Sequence, residues 1–214
     1  MFFFEVEMFR VKICGLTRGR DVRWAAQQGA DALGFQMSLG PRKLTPEQAQ
    51  NLVRQVPPLV IPVGVFYNEP LNRVRKLIRS CGFLAAQLHG NETPAYCAQI
   101  DVPIIKAMRM KTQSAYKPMK TYEVAAYLLD SYNAKQPGGT GKAFHFEWTR
   151  NAVKALTGPV ILAGGLTPSN VQEAIRRSGA FGVDVSSGVE SRPGIKDPRK
   201  VTRFIRLAKR AFQN

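Results

Sequence analysis

The sequence predicts an α/β protein: a closed (β/α)8 barrel of eight parallel strands with helices on the outside. Three observations carry that expectation. Apolar or β-branched runs of four to six residues alternate with amphipathic helical stretches along most of the chain, eight of each. The strand-like runs are near-continuously apolar, as expected of parallel strands covered by helices. The 214 residues also fit one such barrel, which commonly takes ~200–250. A doubly wound open sheet is the alternative. It rarely needs eight regular units, and no Gly-x-Gly-x-x-Gly follows the first strand.

In chain order, the expected strands are Val11–Cys14, Ala32–Met37, Ile61–Phe66, Ala85–His89, Ile104–Met108, Ala125–Asp130, Val160–Ala163 and Gly182–Val185. The expected helices are Arg20–Gln28, Pro46–Val56, Pro70–Ser80, Pro94–Ile100, a weaker Gln113–Lys120, Glu147–Leu156, Pro168–Ser178 and Asp197–Phe212. Thr45-Pro46, Thr93-Pro94, Thr167-Pro168 and Asp197-Pro198 each read as a cap followed by proline at the first helical position. Gly29 and Gly179 stand where a left-handed residue ends a helix. The domain is expected to run from 8 to 214. Residues 1–7 are either an N-terminal extension or a misassigned start, with Met8 the alternative initiator.

Lys+Arg 31 against Asp+Glu 15 leaves a formal charge of +16. Much of it falls between apolar positions at helical spacing. Arg199, Lys200, Arg203, Arg206, Lys209 and Arg210 interleave Val201, Phe204, Ile205, Ala208 and Phe212, and Arg73, Arg75, Lys76 and Arg79 surround Val74, Leu77 and Ile78. These read as solvated outer helix faces. No zinc-finger spacing, RNP-like aromatic string or basic heptad region points to nucleic acid. No apolar run reaches the ~18 residues of a membrane helix. Three cysteines cannot build a disulfide framework and suit a reducing, cytoplasmic setting.

In a barrel the chemistry sits at the carboxyl ends of the strands. Those ends are polar here: Cys14-Gly15, His89-Gly90, Asp130-Ser131, Gly164-Gly165, and Asp184-Val185-Ser186-Ser187-Gly188. The last two, after strands 7 and 8, form a candidate phosphate cup of Gly164, Gly165, Ser186, Ser187 and Gly188 with a short helix N-terminus. The stretch Pro137–Lys142 resembles part of a P-loop, but Gln136 replaces the first glycine and Ala143 the Ser or Thr. It reads instead as a glycine-rich lid. His89 and His145 lie far apart with no carboxylate at ligand spacing, so no metal site is expected. No Gly-x-Ser-x-Gly marks a serine hydrolase. A thiol, Cys14, and a carboxylate, Asp130, remain on the rim, a pair able to divide a proton transfer into base and acid. Cys81 and Cys97 fall on helices as small core residues.

Six blocks then resemble phosphoribosylanthranilate isomerases: Val11-Lys12-Ile13-Cys14-Gly15, Gln87-Leu88-His89-Gly90, Leu128-Leu129-Asp130, Gly138–Lys142, Ala163-Gly164-Gly165-Leu166 and Val183–Glu190. The likeness runs in order from about residue 8 to 212. It implies a (β/α)8 barrel and an Amadori rearrangement of an aminoaldose to an aminoketose in tryptophan biosynthesis. It further implies Asp130 as general acid, Cys14 as general base, and no cofactor, because the iminium is the electron sink. The expected partner is a phosphorylated small molecule, with neither nucleic acid nor membrane, and the expected state a monomer or homodimer. Two alternatives stand beside this: another phosphate-binding barrel such as a pentose-phosphate epimerase, which would share the cup but not the Cys14/Asp130 pair, and a non-catalytic basic barrel that binds nucleic acid.

Strand alternation adds that Lys12 faces the barrel interior beside Cys14, with Asp184 the partner for its ammonium. Lys12 is expected to favour the Cys14 thiolate. Arg42, after strand 2, is expected to pair with the anthranilate carboxylate, and His89 and Asp184 to contact substrate. Lys142 is a further cation expected near the anion. The Gly34–Arg42 loop is about one residue shorter than the family pattern.

Overall fold

A computed structural model describes residues 10–130 and 146–213. Eight parallel strands close into a TIM barrel in the order β1 to β8, with β8 hydrogen-bonded back to β1. They are β1 Val11–Cys14, β2 Ala32–Gln36, β3 Ile61–Phe66, β4 Ala85–Leu88, β5 Ile104–Arg109, β6 Ala126–Asp130, β7 Val160–Ala163 and β8 Gly182–Val185. Each lies within one residue of its sequence-derived bounds. The barrel predicted above is the one observed.

Outer helices are α1 Gly19–Gln27, α2 Pro46–Val53, α3 Leu71–Cys81, α4 Pro94–Cys97, α5 Phe146–Ala155, α6 Val171–Ser178 and α7 Pro198–Phe212. Thr45, Thr93 and Asp197 cap α2, α4 and α7 through side-chain oxygens that accept backbone N–H bonds, as expected. Gly29 and Gly179 take φ of 92° and 66°. Arg73, Lys76, Arg79, Arg199, Arg203, Arg206 and Arg210 are exposed on α3 and α7, so those charges do decorate outer faces.

Four helices depart from expectation, two of them by stopping three residues early, α2 at Val53 rather than Val56 and α4 at Cys97 rather than Ile100. Thr167 does not cap α6: its hydroxyl turns to Ser169 instead, and α6 starts at Val171 behind Asn170. Gln113–Lys120 holds no α-helix, only a 3-10 turn at Lys117–Thr121, because Pro118 has no N–H to extend an α ladder. One element was not foreseen. After β8 a 3-10 turn, Ser187–Val189, leads into an antiparallel ribbon of β9 Glu190–Arg192 and β10 Ile195–Lys196.

Strand alternation divides the residues between two cores. Ala32, Val63, Ala85, Ile105, Ala107, Leu128, Ile161 and Ala163 fill the barrel interior. Ile13, Leu33, Phe35, Leu88, Leu162, Val183 and Val185 turn outward onto helix residues such as Val22, Val74, Ile175, Phe204 and Ile205. The interior set carries on toward the carboxyl ends as Cys14, Gln36, Gln87, Asp130 and Asp184, so the apolar filling gives way to polar groups at one mouth.

Candidate active site

At that mouth a cavity of about 190 Å³ is lined by Cys14, Gln36, Arg42, Val65, Gln87, His89, Asp130, Ala163–Leu166 and Asp184–Gly188. Cys14, Arg42, His89, Asp130, Asp184 and the expected phosphate-cup residues therefore meet in one place. An adjoining lobe of about 350 Å³ shares Gln36, Val65 and His89 with it and adds Ser38, Leu39, Phe66, Tyr67 and Arg109. Met1–Glu7, Met8, Ser131, Gly138–Lys142 and His145 lie outside the described residues.

On β1, Lys12 and Cys14 point inward together. Lys12 Nζ donates to Asp184 Oδ1 at 2.9 Å, the cross-strand partner named from sequence, and the two are register neighbours on β1 and β8. Gly34 on β2 makes the space. A Cβ there would lie 2.7 Å from Cys14 Sγ and 3.0 Å from Lys12 Nζ, so a side chain at 34 would displace both.

The ionisation of this trio sets charge against burial. Burial pulls the Lys12 ammonium down, but Asp184 and Cys14 together lift it above its ordinary value. Burial pushes the Cys14 thiol up, and Asp184 adds to that, while Lys12 and Lys196 pull it down without prevailing. Lys12 does favour the thiolate, yet the desolvated site holds the resting group as a thiol.

Asp130 ends β6, three strands round the barrel from β1. His89 Nε2 lies 3.4 Å from Asp130 Oδ2, within ion-pair reach when protonated but without hydrogen-bond alignment. On the other side of the ring, Gln87 Nε2 lies 3.4 Å from His89 Nδ1. With that amide as donor, Nδ1 accepts and the ring proton sits on Nε2, facing Asp130. Gln87 was quoted in the sequence but given no role. Its signal is strand parity, since 87 and 89 share a face, as do Gly34 and Gln36.

Gly164 and Gly165 both have left-handed φ, 86° and 62°, a backbone that turns sharply after β7. Gly188 sits against this turn. A Cβ there would fall 1.8 Å from Leu166 O, so only glycine lets the two loops meet. Asn170 ties the turn to the start of α6, its Nδ2 donating to Gly165 O at 3.0 Å and its Oδ1 accepting from Thr167 N at 2.8 Å. Ser186 Oγ, Gln87 Oε1 and His89 Nε2 are buried with no hydrogen-bond partner among the described residues. Three such atoms lining one cavity suit a polar ligand.

Arg42 lines the cavity, but its guanidinium is engaged. Nε donates to Glu190 Oε1 at 2.8 Å and Nη2 to Glu190 Oε2 at 2.5 Å. The unforeseen ribbon supplies this partner, which is why a reading of strand ends missed it. Cys81 and Cys97 are buried on α3 and α4, as expected of core residues. No described helix is long and apolar enough to cross a membrane.

Comparison with known proteins agrees with this geometry. Residues 11–207 match the family model described as PRAI, N-(5'phosphoribosyl)anthranilate (PRA) isomerase. The N-(5'-phosphoribosyl)anthranilate isomerase of Pelobacter propionicus is 46% identical over 203 residues, covering 94% of this chain and 96% of its own. The solved phosphoribosyl anthranilate isomerase of Thermotoga maritima superposes with a TM-score of 0.87 at 34% identity, over 94% of this chain and 99% of that one. A phosphoribosyl anthranilate isomerase in complex with reduced 1-(o-carboxyphenylamino)-1-deoxyribulose 5-phosphate superposes at 0.83 and 33% identity, over the same shares. The chain belongs to the N-(5'-phosphoribosyl)anthranilate isomerase family.

Proposed function

We propose that the chain isomerises N-(5-phosphoribosyl)anthranilate to 1-(2-carboxyphenylamino)-1-deoxyribulose 5-phosphate, a step of tryptophan biosynthesis. The observation that carries the reading is the meeting of Cys14, Asp130 and the Gly164–Gly165/Ser186–Gly188 cup around one cavity. The cup takes the 5-phosphate through backbone N–H groups and the Ser186 and Ser187 hydroxyls. Arg42 takes the anthranilate carboxylate, and the lobe walled by Leu39, Phe66 and Tyr67 accepts the ring. His89 and Asp184 contact the sugar.

The chemistry needs one assigned acid, one assigned base and no cofactor. Asp130, as the carboxylic acid, protonates the furanose ring oxygen while the nitrogen lone pair expels it, opening the ring to an iminium. Cys14, as the thiolate, removes the proton from C2, and the C–H electron pair flows into the iminium. The enolamine then takes a proton at C1 and loses one from the C2 hydroxyl to give the ketone. Burial disfavours a charged Cys14, so the Lys12 ammonium is what makes the thiolate accessible in a dry site. His89 Nε2 stands 3.4 Å from Asp130 Oδ2, beside that carboxyl at the cavity wall.

Cys14→Ala and Asp130→Asn test the reading. Each is expected to lower kcat by about 10²–10⁴-fold, the usual worth of a positioned acid or base, and neither to rescue a tryptophan auxotroph lacking this step. Growth supported equally well by both variants would overturn the assignment.

A further inference from the structure

The ribbon β9–β10 brings two charged side chains that the proton chemistry does not use. Glu190 and Lys196 are 7% and 3% exposed and joined by a 2.8 Å ion pair. Charges at that depth persist only when their hydrogen-bonding capacity is filled. All three donors of Lys196 Nζ are spent: Glu190 Oε1 at 2.8 Å, Cys14 O at 2.6 Å and Ser186 O at 3.1 Å. Glu190 in turn takes the Nε–Nη2 edge of Arg42, and its Oε1 accepts from Gly194 N at 3.3 Å. One carboxylate and one ammonium thus reach the main chain of the proposed base, the main chain of the phosphate loop and the cation assigned to the substrate carboxylate.

We propose that Glu190 is a positioning residue. It clamps the inner edge of the Arg42 guanidinium so that the outer edge, Nη1 with the second Nη2 hydrogen, is presented as a preset fork for the anthranilate carboxylate. The inference rests on the assignment of Arg42 above. A guanidinium has five donors in a rigid plane, so one carboxylate on the Nε–Nη2 edge leaves a complete second fork. Two positive charges against one negative leave the cluster at +1, so it still attracts an anion after Glu190 is counted. Fixing the side chain beforehand also removes the ordering cost that a free arginine meets on binding.

The test compares two ligands by calorimetry, the reduced product analogue and the same compound without its carboxylate, on the wild type, Glu190→Gln, Arg42→Ala and the double variant. Glu190→Gln is expected to weaken the carboxylated ligand about tenfold and the decarboxylated one less than about twofold, and to raise KM far more than it lowers kcat. Added to Arg42→Ala, it is expected to cost nothing further. Glu190→Asp keeps a negative charge in the cluster but, one methylene shorter, loses the two-oxygen fit to Arg42, so it shows the same ligand selectivity and serves if Gln at 190 impairs folding. Equal weakening of both ligands would make Glu190 merely structural. Tighter binding of the carboxylated ligand would make it a competitor for Arg42, and additive losses in the double variant would uncouple the two. Any of these overturns the inference. If Arg42→Ala itself fails to distinguish the two ligands, the assignment of Arg42 falls first, and this inference with it.

Discussion

Two buried lysine–carboxylate pairs in this barrel look alike in isolation and differ in what surrounds them. Lys12 and Asp184 lie inside the barrel at 2.9 Å, their side chains 4% and 9% exposed, beside Cys14 and the cavity. Lys106 and Glu92 lie on the outer side of β5 at 3.0 Å, both 2% exposed. The second pair is bound into backbone. Lys106 Nζ also donates to Gly90 O at 2.7 Å and Leu88 O at 3.3 Å. Glu92 accepts from Asn68 N and Gly90 N at 2.8 and 2.9 Å, and Tyr122 Oη donates to Glu92 O at 2.9 Å. That pair holds together the loops after β3 and β4, and with them the base of His89. The first pair has a thiol and an open cavity where the second has main chain. Burial of a charge therefore does not mark a site. What matters is whether its remaining partners are backbone or space that a ligand can enter.

Removing each lysine should separate the two roles. Lys12→Met takes away the cation that offsets burial of the Cys14 thiolate, and the largest effect is expected in turnover, a loss on the order of 10²-fold near neutral pH. Lys12→Met/Asp184→Asn restores neutrality and should recover stability but not kcat. A Lys12→Met enzyme with wild-type kcat would show that the inner pair is as structural as the outer one.

Lys106→Met should act the other way. It strands the Glu92 carboxylate in a dry site, a loss of about 3–5 kcal/mol in urea unfolding, while kcat of the folded fraction stays within a few-fold of wild type. Lys106→Met/Glu92→Gln should regain part of that, because the amide oxygen of Gln can still accept a backbone N–H without a charge. A variant of normal stability but lost activity would reverse the comparison.

How legible each pair was in the sequence follows from the same difference. Lys12 and Asp184 sit on strands, where period-two alternation and the closure of β8 onto β1 fix which side chains share the interior. Lys106 also sits on a strand, but its partner is in a loop whose path depends on tertiary contacts, so nothing local announced Glu92. The eight strands and the rim residues Cys14, His89, Asp130 and Asp184 were readable for the first reason. Arg42's engagement by Glu190 was not, because it needs an irregular ribbon, with Gly194 at a φ of 78°, folded back over the β8–β1 joint. The raised thiol of Cys14 was missed for another reason: the sequence shows the neighbouring cation but not the depth of burial opposing it.

That opposition makes the smallest prediction, and a direct one. The folded state holds Cys14 above the ordinary thiol value of 9.0, so it binds this proton more tightly than the unfolded chain does. The stabilisation is complete below that value and is lost as the pH rises from there through the raised folded value. Wild type should therefore lose stability toward alkaline pH faster than Cys14→Ser, whose hydroxyl does not titrate in this range. Comparing the two slopes in urea unfolding cancels the lysines and tyrosines common to both. Parallel slopes would mean that Lys12 offsets burial fully. A wild-type slope shallower than that of Cys14→Ser would instead mean a thiol held below its ordinary value, a standing thiolate on the inner pair, and its contrast with the backbone-bound outer pair would be sharper still.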